Sequence, residues 1–200
     1  MRSTSRMLQN ALLAFTTFTF VMCAKPEKKA EEAPSVAASN ATAMEQTASN
    51  RGTASATFGE KSVSINYGRP QLQGRDVLAM ATDGMVWRMG MNEATEIKTD
   101  ADLKFGETMI PAGQYSLWMK KTGSDKWDLV FNKKTGIWGH EHPAADDLAS
   151  VPMTTVGLPQ SVEAFTVEVK AQDAANGSIT AMWATTALSA AFTVQAAQGM

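Results

Sequence analysis

The sequence predicts an all-β fold, an antiparallel β-sandwich or a barrel-like domain, over about residues 55–195. First, apolar and polar residues alternate with a period of two through most of this region, as in strands that bury one face. Second, turn sequences containing Gly, Pro or Asn interrupt the alternation at close spacing. Third, no long apolar pattern of helical period occurs. Many short strands with frequent turns are typical of sandwiches and barrels.

The first predicted strands alternate clearly. Val63, Ile65 and Tyr67 are separated by polar residues. Apolar residues also alternate over 115–119, after a Pro-Ala-Gly turn, and over 127–131, after a turn around a glycine. These last two segments are expected to be neighbouring antiparallel strands.

The remaining elements follow in order. Alternation over 165–169 and over 179–183, on either side of a loop containing Asn176-Gly177, predicts a β-hairpin. A last strand is predicted over 188–194, and a short helix near residues 76–81.

The N-terminal segment 1–23 has the layout of a signal peptide. Arg2 and Arg6 precede a mostly apolar run from Met7 to Met22, and the first acidic residue is Glu27. Polar residues interrupt the run and no later one is longer, so no transmembrane helix is predicted.

Cys23, the single cysteine, stands where the apolar run ends, which is where lipoprotein processing attaches lipid. The preceding Phe20-Val21-Met22 departs from the usual lipobox, so an ordinary cleaved signal peptide is the alternative. Ala24 and Lys25 lack the acidic signal that retains some lipoproteins at the inner membrane. We therefore predict an outer-membrane lipoprotein facing the periplasm, or else a soluble periplasmic or secreted protein. A lone cysteine excludes a disulfide within the domain.

Residues 24–54 are predicted to be a disordered linker. Their composition of Ala, Ser, Thr, Glu, Lys and Asn has almost no large apolar residue, so little surface is available to offset chain entropy. A random coil of this length spans roughly 30 Å, enough to hold a domain away from lipid headgroups. The single folded domain is expected over 55–195.

Composition excludes some functions. The formal net charge is −2 and no basic stripe interleaved with aromatic residues occurs, so no nucleic-acid partner is predicted. No glycine-rich phosphate loop and no nucleophile elbow is found, and no cofactor is indicated.

Polar residues are densest between residues 66 and 96. Guanidinium groups pair with carboxylates and stack on aromatic rings, so this cluster has two interpretations. It is either a closed ionic network that holds strands in register, or a pocket for a small polar, anionic or glycan ligand. The candidate ligand-binding residues are Arg69, Arg75, Trp87, Arg88, Asn92 and Glu93.

A second cluster contains the only two histidines, His140 and His142, on either side of Glu141. On a strand both imidazoles would point to one face, and imidazole with carboxylate suits zinc or another transition metal. Gly139 and Pro143 bracket the cluster, so an exposed polar loop is the alternative.

Several motifs in series resemble a family of exported bacterial proteins catalogued as a domain of unknown function, number twenty-nine eleven. The resemblance runs from about residue 55 to about residue 194. It implies export and a β-rich domain, but assigns no catalytic residue. The motifs are Tyr67-Gly68-Arg69-Pro70, Gly74-Arg75, Val86-Trp87-Arg88, Asn92-Glu93-Ala94-Thr95, Pro111-Ala112-Gly113-Gln114-Tyr115-Ser116-Leu117 and Asn132-Lys133-Lys134-Thr135-Gly136-Ile137-Trp138-Gly139.

Three functions fit the sequence. The first is a binding module for a small polar, anionic or glycan ligand. The second is an envelope protein with a structural or protein-interaction role, which would expose an apolar patch or an unpaired edge strand. The third is a metal-dependent or hydrolytic enzyme, which needs histidines or carboxylates to converge in a cleft. The sequence specifies neither the ligand nor a protein partner.

Overall fold

The computed structural model describes residues 50–195. The predicted signal peptide 1–23, Cys23 and most of the predicted linker lie outside the described residues. Within 50–195, no helix has the length and apolar character needed to span a membrane. The strands are β1 (Arg51–Phe58), β2 (Lys61–Gly68), β3 (Val86–Trp87), β4 (Thr95–Thr99), β5 (Asp102–Phe105), β6 (Thr108–Ile110), β7 (Gly113–Gly123), β8 (Lys126–Asn132), β9 (Asp147–Ala171) and β10 (Asn176–Gln195).

These strands form one antiparallel sheet, which confirms the all-β prediction. The order of strands is β1-β2-β4-β7-β8-β9-β10-β5-β6, and β3 adds to β7 beside this path. The sheet is not closed into a barrel, since β1 and β6 stand at opposite ends of the order. Helical structure is limited to α1 (Val77–Met80) and a 3₁₀ turn (Ala144–Asp146) in the described chain.

The sheet folds over itself in the manner of a sandwich. The ring of Phe58 in β1 lies 5.4 Å from that of Phe192 in β10, and Phe105 in β5 lies 5.3 Å from Phe131 in β8. Strands that are distant in the sheet order therefore bury one shared core. Each aromatic or aliphatic side chain removed from water here stabilises the fold by about 1.5–3 kcal/mol.

The outer face of β7 and β8 is also covered, which simple alternation does not predict. Ser116 and Trp118 are buried along with their apolar neighbours in β7. Trp118 packs with Ala94 and Val130 in a second small cluster, against which Ile137 rests. The segment between β8 and the 3₁₀ turn therefore folds back over this face.

The C-terminal hairpin is confirmed, but two predicted strands are in fact one. The segments 179–183 and 188–194 both belong to β10, a strand of 20 residues. Ala184 has φ 48° and pairs with Val162, whereas Thr186 pairs with Gly157. Residues 158–161 therefore stand opposite Thr185 alone, and this bulge bends the pair without ending either strand.

Element limits differ slightly from those predicted. The hairpin turn falls at residues 172–175, just before Asn176. The predicted short helix is confirmed as α1, which Asp76 caps by accepting from the backbone N–H groups of Leu78 and Ala79. The predicted domain start at residue 55 falls inside β1, which begins at Arg51. The first residues of β1 give no apolar alternation, because they pair with β2 through the backbone and have no large apolar side chain.

Candidate functional site

A cleft of about 380 Å³ lies between the loop after β2 and the end of β3. We call it the Trp87 cleft. It contains four of the six candidate ligand-binding residues, together with side chains from α1 and β10. The lining includes Arg75, Met80, Trp87, Arg88, Asn92 and Trp183.

The floor of the Trp87 cleft is aromatic and rigid. The rings of Trp87 and Trp183 stack with their centroids 5.3 Å apart and their planes 9° apart. Phe165 meets Trp87 edge-on at 4.9 Å. Trp87 is 9% exposed and Trp183 3%. A ligand would therefore touch only a small part of a packed aromatic surface, which needs no rearrangement to receive it.

One wall of the cleft is the loop that carries α1. The backbone N–H of Leu72 donates to the carbonyl of Glu163 at 2.8 Å, and the N–H of Gln73 donates to the Glu163 carboxylate at 3.2 Å. These contacts attach the loop to β9. They place Arg75 and Met80, both exposed, at the rim.

Arg88 forms part of the opposite wall. Its Nη1 donates to the carbonyl of Gly139 at 3.0 Å, and its Nε donates to that of Gly90 at 3.4 Å. A Cβ atom at Gly139 would lie 2.5 Å from Cδ of Arg88, so this approach requires glycine. Arg88 therefore both lines the cleft and attaches the segment that contains Gly139.

The Trp87 cleft is electrostatically one-sided. Its lining contains two cationic side chains, Arg75 and Arg88, and no acidic one. Within residues 50–195 neither guanidinium is paired with a carboxylate, because the ion pairs there involve other residues. An anion in the cleft would meet unopposed positive charge.

Arg69 and Glu93 lie outside the Trp87 cleft. Nε of Arg69 is buried and has no hydrogen-bond partner in the described chain. Glu93 pairs with Arg51, whose Nη1 lies 2.8 Å from its Oε2, and Arg51 also donates to Asn66. The structure therefore separates the six candidates, and the closed network of Arg69, Arg75, Arg88 and Glu93 does not form. Arg51 is not among the predicted site residues because it lies inside the predicted linker.

A second, larger cleft of about 490 Å³ lies over the covered face of β7 and β8. We call it the Trp138 cleft. Trp138 is 52% exposed, whereas the other four tryptophans are buried. The lining consists of Lys134, Ile137, Trp138, His140, Glu141, His142 and Pro143.

His142 is the most firmly positioned polar group of the Trp138 cleft. Its Nε2 lies 2.8 Å from Oδ1 of Asp147, and its ring lies 4.9 Å from that of Trp118. The buried Asn132 donates to the same Asp147 oxygen at 2.8 Å and to the carbonyl of Pro143 at 2.9 Å. A buried amide thus orients the carboxylate, which in turn orients the imidazole.

The metal hypothesis for His140 and His142 stays a prediction. Both histidines line the Trp138 cleft, as a shared site would require. In the part of the chain from 50 to 195, however, no three His, Cys, Asp or Glu side chains come together in an arrangement that could hold a metal ion.

Displaced pKa values occur outside both clefts. Burial, and then the charge of Asp102, raises the pKa of Tyr115. A hydrogen bond from Ser62 lowers the pKa of Asp100, and one from Asn176 lowers that of Asp173. These three groups lie at turns or strand ends, so their shifts reflect local structure.

The fold and its clefts define an antiparallel all-β domain with two neighbouring concave surfaces, one cationic and one centred on an exposed tryptophan. The chain belongs to the family described as Protein of unknown function (DUF2911), whose family model matches residues 49–192. This confirms the resemblance seen in the sequence motifs, and the match includes every residue of both clefts. A search of curated proteins and a search of solved structures each returned no match.

Proposed function

We propose that this protein is an exported binding module, anchored by lipid at Cys23, whose Trp87 cleft binds a small organic anion. The main support is that Arg75 and Arg88 line this cleft together with Trp87 and Trp183, and that no acidic residue is in the lining. Ligand pockets commonly combine an apolar surface with a few polar groups that set orientation.

The two guanidinium groups suit a carboxylate or a phosphate. Arginine presents planar donors that match two oxygens at once, and the low-polarity floor strengthens this attraction relative to bulk water. The volume of about 380 Å³ lies near the lower end of the usual range of roughly 300–1,000 Å³, which favours a compact ligand. The apolar part of the ligand would rest on Trp87 and on the Met80 and Met91 side chains.

Export and anchoring are supported by the sequence. Positive charge, an apolar run and a cysteine at its end occur in the order of a lipoprotein signal. The polar segment after Cys23 would hold the domain clear of the membrane, facing the periplasm from the outer membrane.

Binding is tested by calorimetry on the full chain with matched aromatic probes. Benzoate and phenyl phosphate are expected to bind, whereas benzamide, which has the same ring without the charge, is not. Arg75→Gln should weaken benzoate binding by about tenfold or more, because a hydrogen bond to a charged group contributes about 1.5–3 kcal/mol. The control is Lys120→Gln, an exposed cation on β7 that does not line the cleft.

Two outcomes would contradict the anion site. One is equal affinity for benzoate and benzamide, and the other is an equal effect of Arg75→Gln and Lys120→Gln. Arg75 is the cleaner variant, since Arg88→Ala also removes the hydrogen bond to Gly139. A fall in melting temperature without a change in affinity for Arg88→Ala would show that Arg88 serves the fold alone.

The anchor is tested separately by growing cells with labelled palmitate. We expect label on the wild-type chain and none on Cys23→Ser. An unlabelled wild-type protein contradicts the lipid anchor but leaves the binding proposal intact, because the two rest on different parts of the chain.

A further inference from the structure

The Trp138 cleft contains an exposed tryptophan whose backbone is held firmly. Glu93 and Trp138 form an isolated antiparallel bridge. On either side, the Ala94 N–H donates to the carbonyl of Ile137 at 3.0 Å, and the Gly139 N–H donates to that of Asn92 at 2.9 Å. The indole is therefore presented to solvent from a fixed backbone.

Such exposure is costly for this side chain. Tryptophan has the largest apolar surface of any residue and is usually well buried, as the other four are here. A large apolar ring left in water on a rigid segment provides binding surface at a low cost in entropy, since few torsions remain to be fixed.

The polar groups around this indole favour hydrogen bonding to a neutral ligand over binding of an anion. The lining contains one cation, Lys134, and one anion, Glu141, so formal charges balance when the histidines are neutral. His142 is oriented by Asp147 and Asn132, and it therefore presents a fixed ring edge. The Trp87 cleft, in contrast, has two arginines and no acidic residue in its lining.

We propose that the Trp138 cleft is a second binding site, and that it takes a neutral glycan. One face of a pyranose ring is a flat array of C–H groups, which packs on the electron-rich face of an indole. The hydroxyl groups around that ring both donate and accept. Glu141 accepts from them, Lys134 donates to them, and the imidazoles do either according to tautomer.

This site is distinct from the anion site in its residues and in its ligand class. Its volume of about 490 Å³ is larger than that of the Trp87 cleft. The two clefts are separated by the contact between Arg88 and Gly139, in which Gly139 directly follows Trp138. Each site can therefore be altered without removing a lining residue of the other.

The test is calorimetric titration of the full chain with three neutral hexasaccharides: β-1,4-linked glucose, β-1,4-linked N-acetylglucosamine and α-1,4-linked glucose. At least one is expected to bind, with quenching or a shift of tryptophan fluorescence. Trp138→Ala should weaken that binding by at least about tenfold, and Trp138→Phe by less, because a smaller ring retains part of the stacking surface. Val156→Ala, at another exposed apolar side chain, is the matched control.

Melting curves of each variant show whether folding is retained, which we expect because the indole is half exposed. Absence of binding by all three hexasaccharides at millimolar concentration overturns the proposal, as does equal binding by wild type and Trp138→Ala. If a proline-rich peptide binds through Trp138 and no glycan does, the site serves a protein partner and the proposal is wrong. Arg75→Gln should leave glycan binding unchanged, and Trp138→Ala should leave benzoate binding unchanged, so failure of one proposal is distinguishable from failure of the other.

Discussion

The Trp87 and Trp138 clefts lie on either side of one hydrogen bond, from Arg88 to Gly139, yet they use tryptophan in opposite ways. Trp87 is stacked on Trp183 and belongs to the core, with 9% of its surface exposed. Trp138 rests on the outer face with half of its side chain in water. The first is surrounded by unopposed arginines and the second by balanced charges.

The same residue type in two similar local motifs is therefore packed into the core in one place and exposed to solvent in the other. Val86 and Trp87 form the short strand β3, in which Trp87 is buried, whereas Ile137-Trp138-Gly139 lies in a segment that covers the sheet. Removing Trp87 should therefore damage the fold, and removing Trp138 should not.

The largest effect is expected for Trp87→Ala. Loss of a buried ring that contacts Trp183 and Phe165 should lower the free energy of unfolding by about 3–5 kcal/mol. Trp138→Ala should lower it by only about 1 kcal/mol, because about half of that side chain is already in water. Urea unfolding followed by circular dichroism measures both. Similar losses for the two variants would show that Trp138 is structural as well.

A smaller loss is expected for Gly139→Ala. The new Cβ would lie 2.5 Å from Cδ of Arg88 and 3.1 Å from the carbonyl oxygen of Asn92, so the Arg88 side chain or the Asn92 backbone must move. Overpacking of this kind costs about 1–3 kcal/mol. Gly157→Ala is the control, because a Cβ there meets nothing within 4 Å.

A double-mutant cycle sharpens this result. Adding Arg88→Ala to Gly139→Ala removes the closest clash, so the combined loss should be smaller than the sum of the single losses. Strict additivity in denaturant unfolding would argue that the backbone of Asn92, and not the Arg88 side chain, resists the substitution.

The smallest effect concerns Tyr115, which lies outside both clefts and so provides a reference that reports on stability alone. Its hydroxyl donates to the carbonyl of Pro111 at 3.0 Å, and Tyr115→Phe should cost about 1 kcal/mol at neutral pH. Burial raises the pKa of Tyr115 above that of an unfolded tyrosine. The folded state therefore favours the protonated phenol. The stabilisation from this preference is fully present below about pH 10, near the pKa of an unfolded tyrosine. It is lost as the pH rises through the folded pKa of Tyr115.

Unfolding curves measured at alkaline pH check that stability falls as the pH rises. The wild-type chain should lose stability above about pH 10 more steeply than Tyr115→Phe, so the two curves converge. Parallel curves would show that the tyrosine does not titrate differently on folding. Benzoate or a bound glycan should raise both curves by the same amount, because a ligand that binds only the folded state stabilises the two chains equally.

Much of the fold could be predicted from local pattern, because alternate side chains of β2, β8 and the C-terminal hairpin face the shared core. Tyr67, Leu129 and Val167 are buried as that pattern requires. The short helix predicted near residues 76–81 is also local, and the structure shows that Asp76 caps it. The first part of β9, with Pro152 and small polar residues, had no such signal. Its place depends on backbone pairing with β8, which is a long-range contact.

The candidate site was predicted only in part, because only some of its residues are close together in sequence. Arg75, Trp87, Arg88 and Asn92 come together because the loop and β3 are close in sequence. Glu93 follows Asn92 directly yet lies outside the Trp87 cleft, where its side chain pairs with Arg51. No pattern indicates that partner, which is 42 residues earlier in the chain. The exposure of Trp138 depends likewise on a segment folding back over the sheet.

The length of β9 has a consequence for how the domain opens. Its first residues pair with β8 and its later residues with β10, so one continuous strand of 25 residues joins the two halves of the sheet. Neither half can separate without rupturing hydrogen bonds of the same strand. The amides of β9 that pair with β8 and β10 should therefore exchange with deuterated solvent only in events that open the whole domain, as a single cooperative unit.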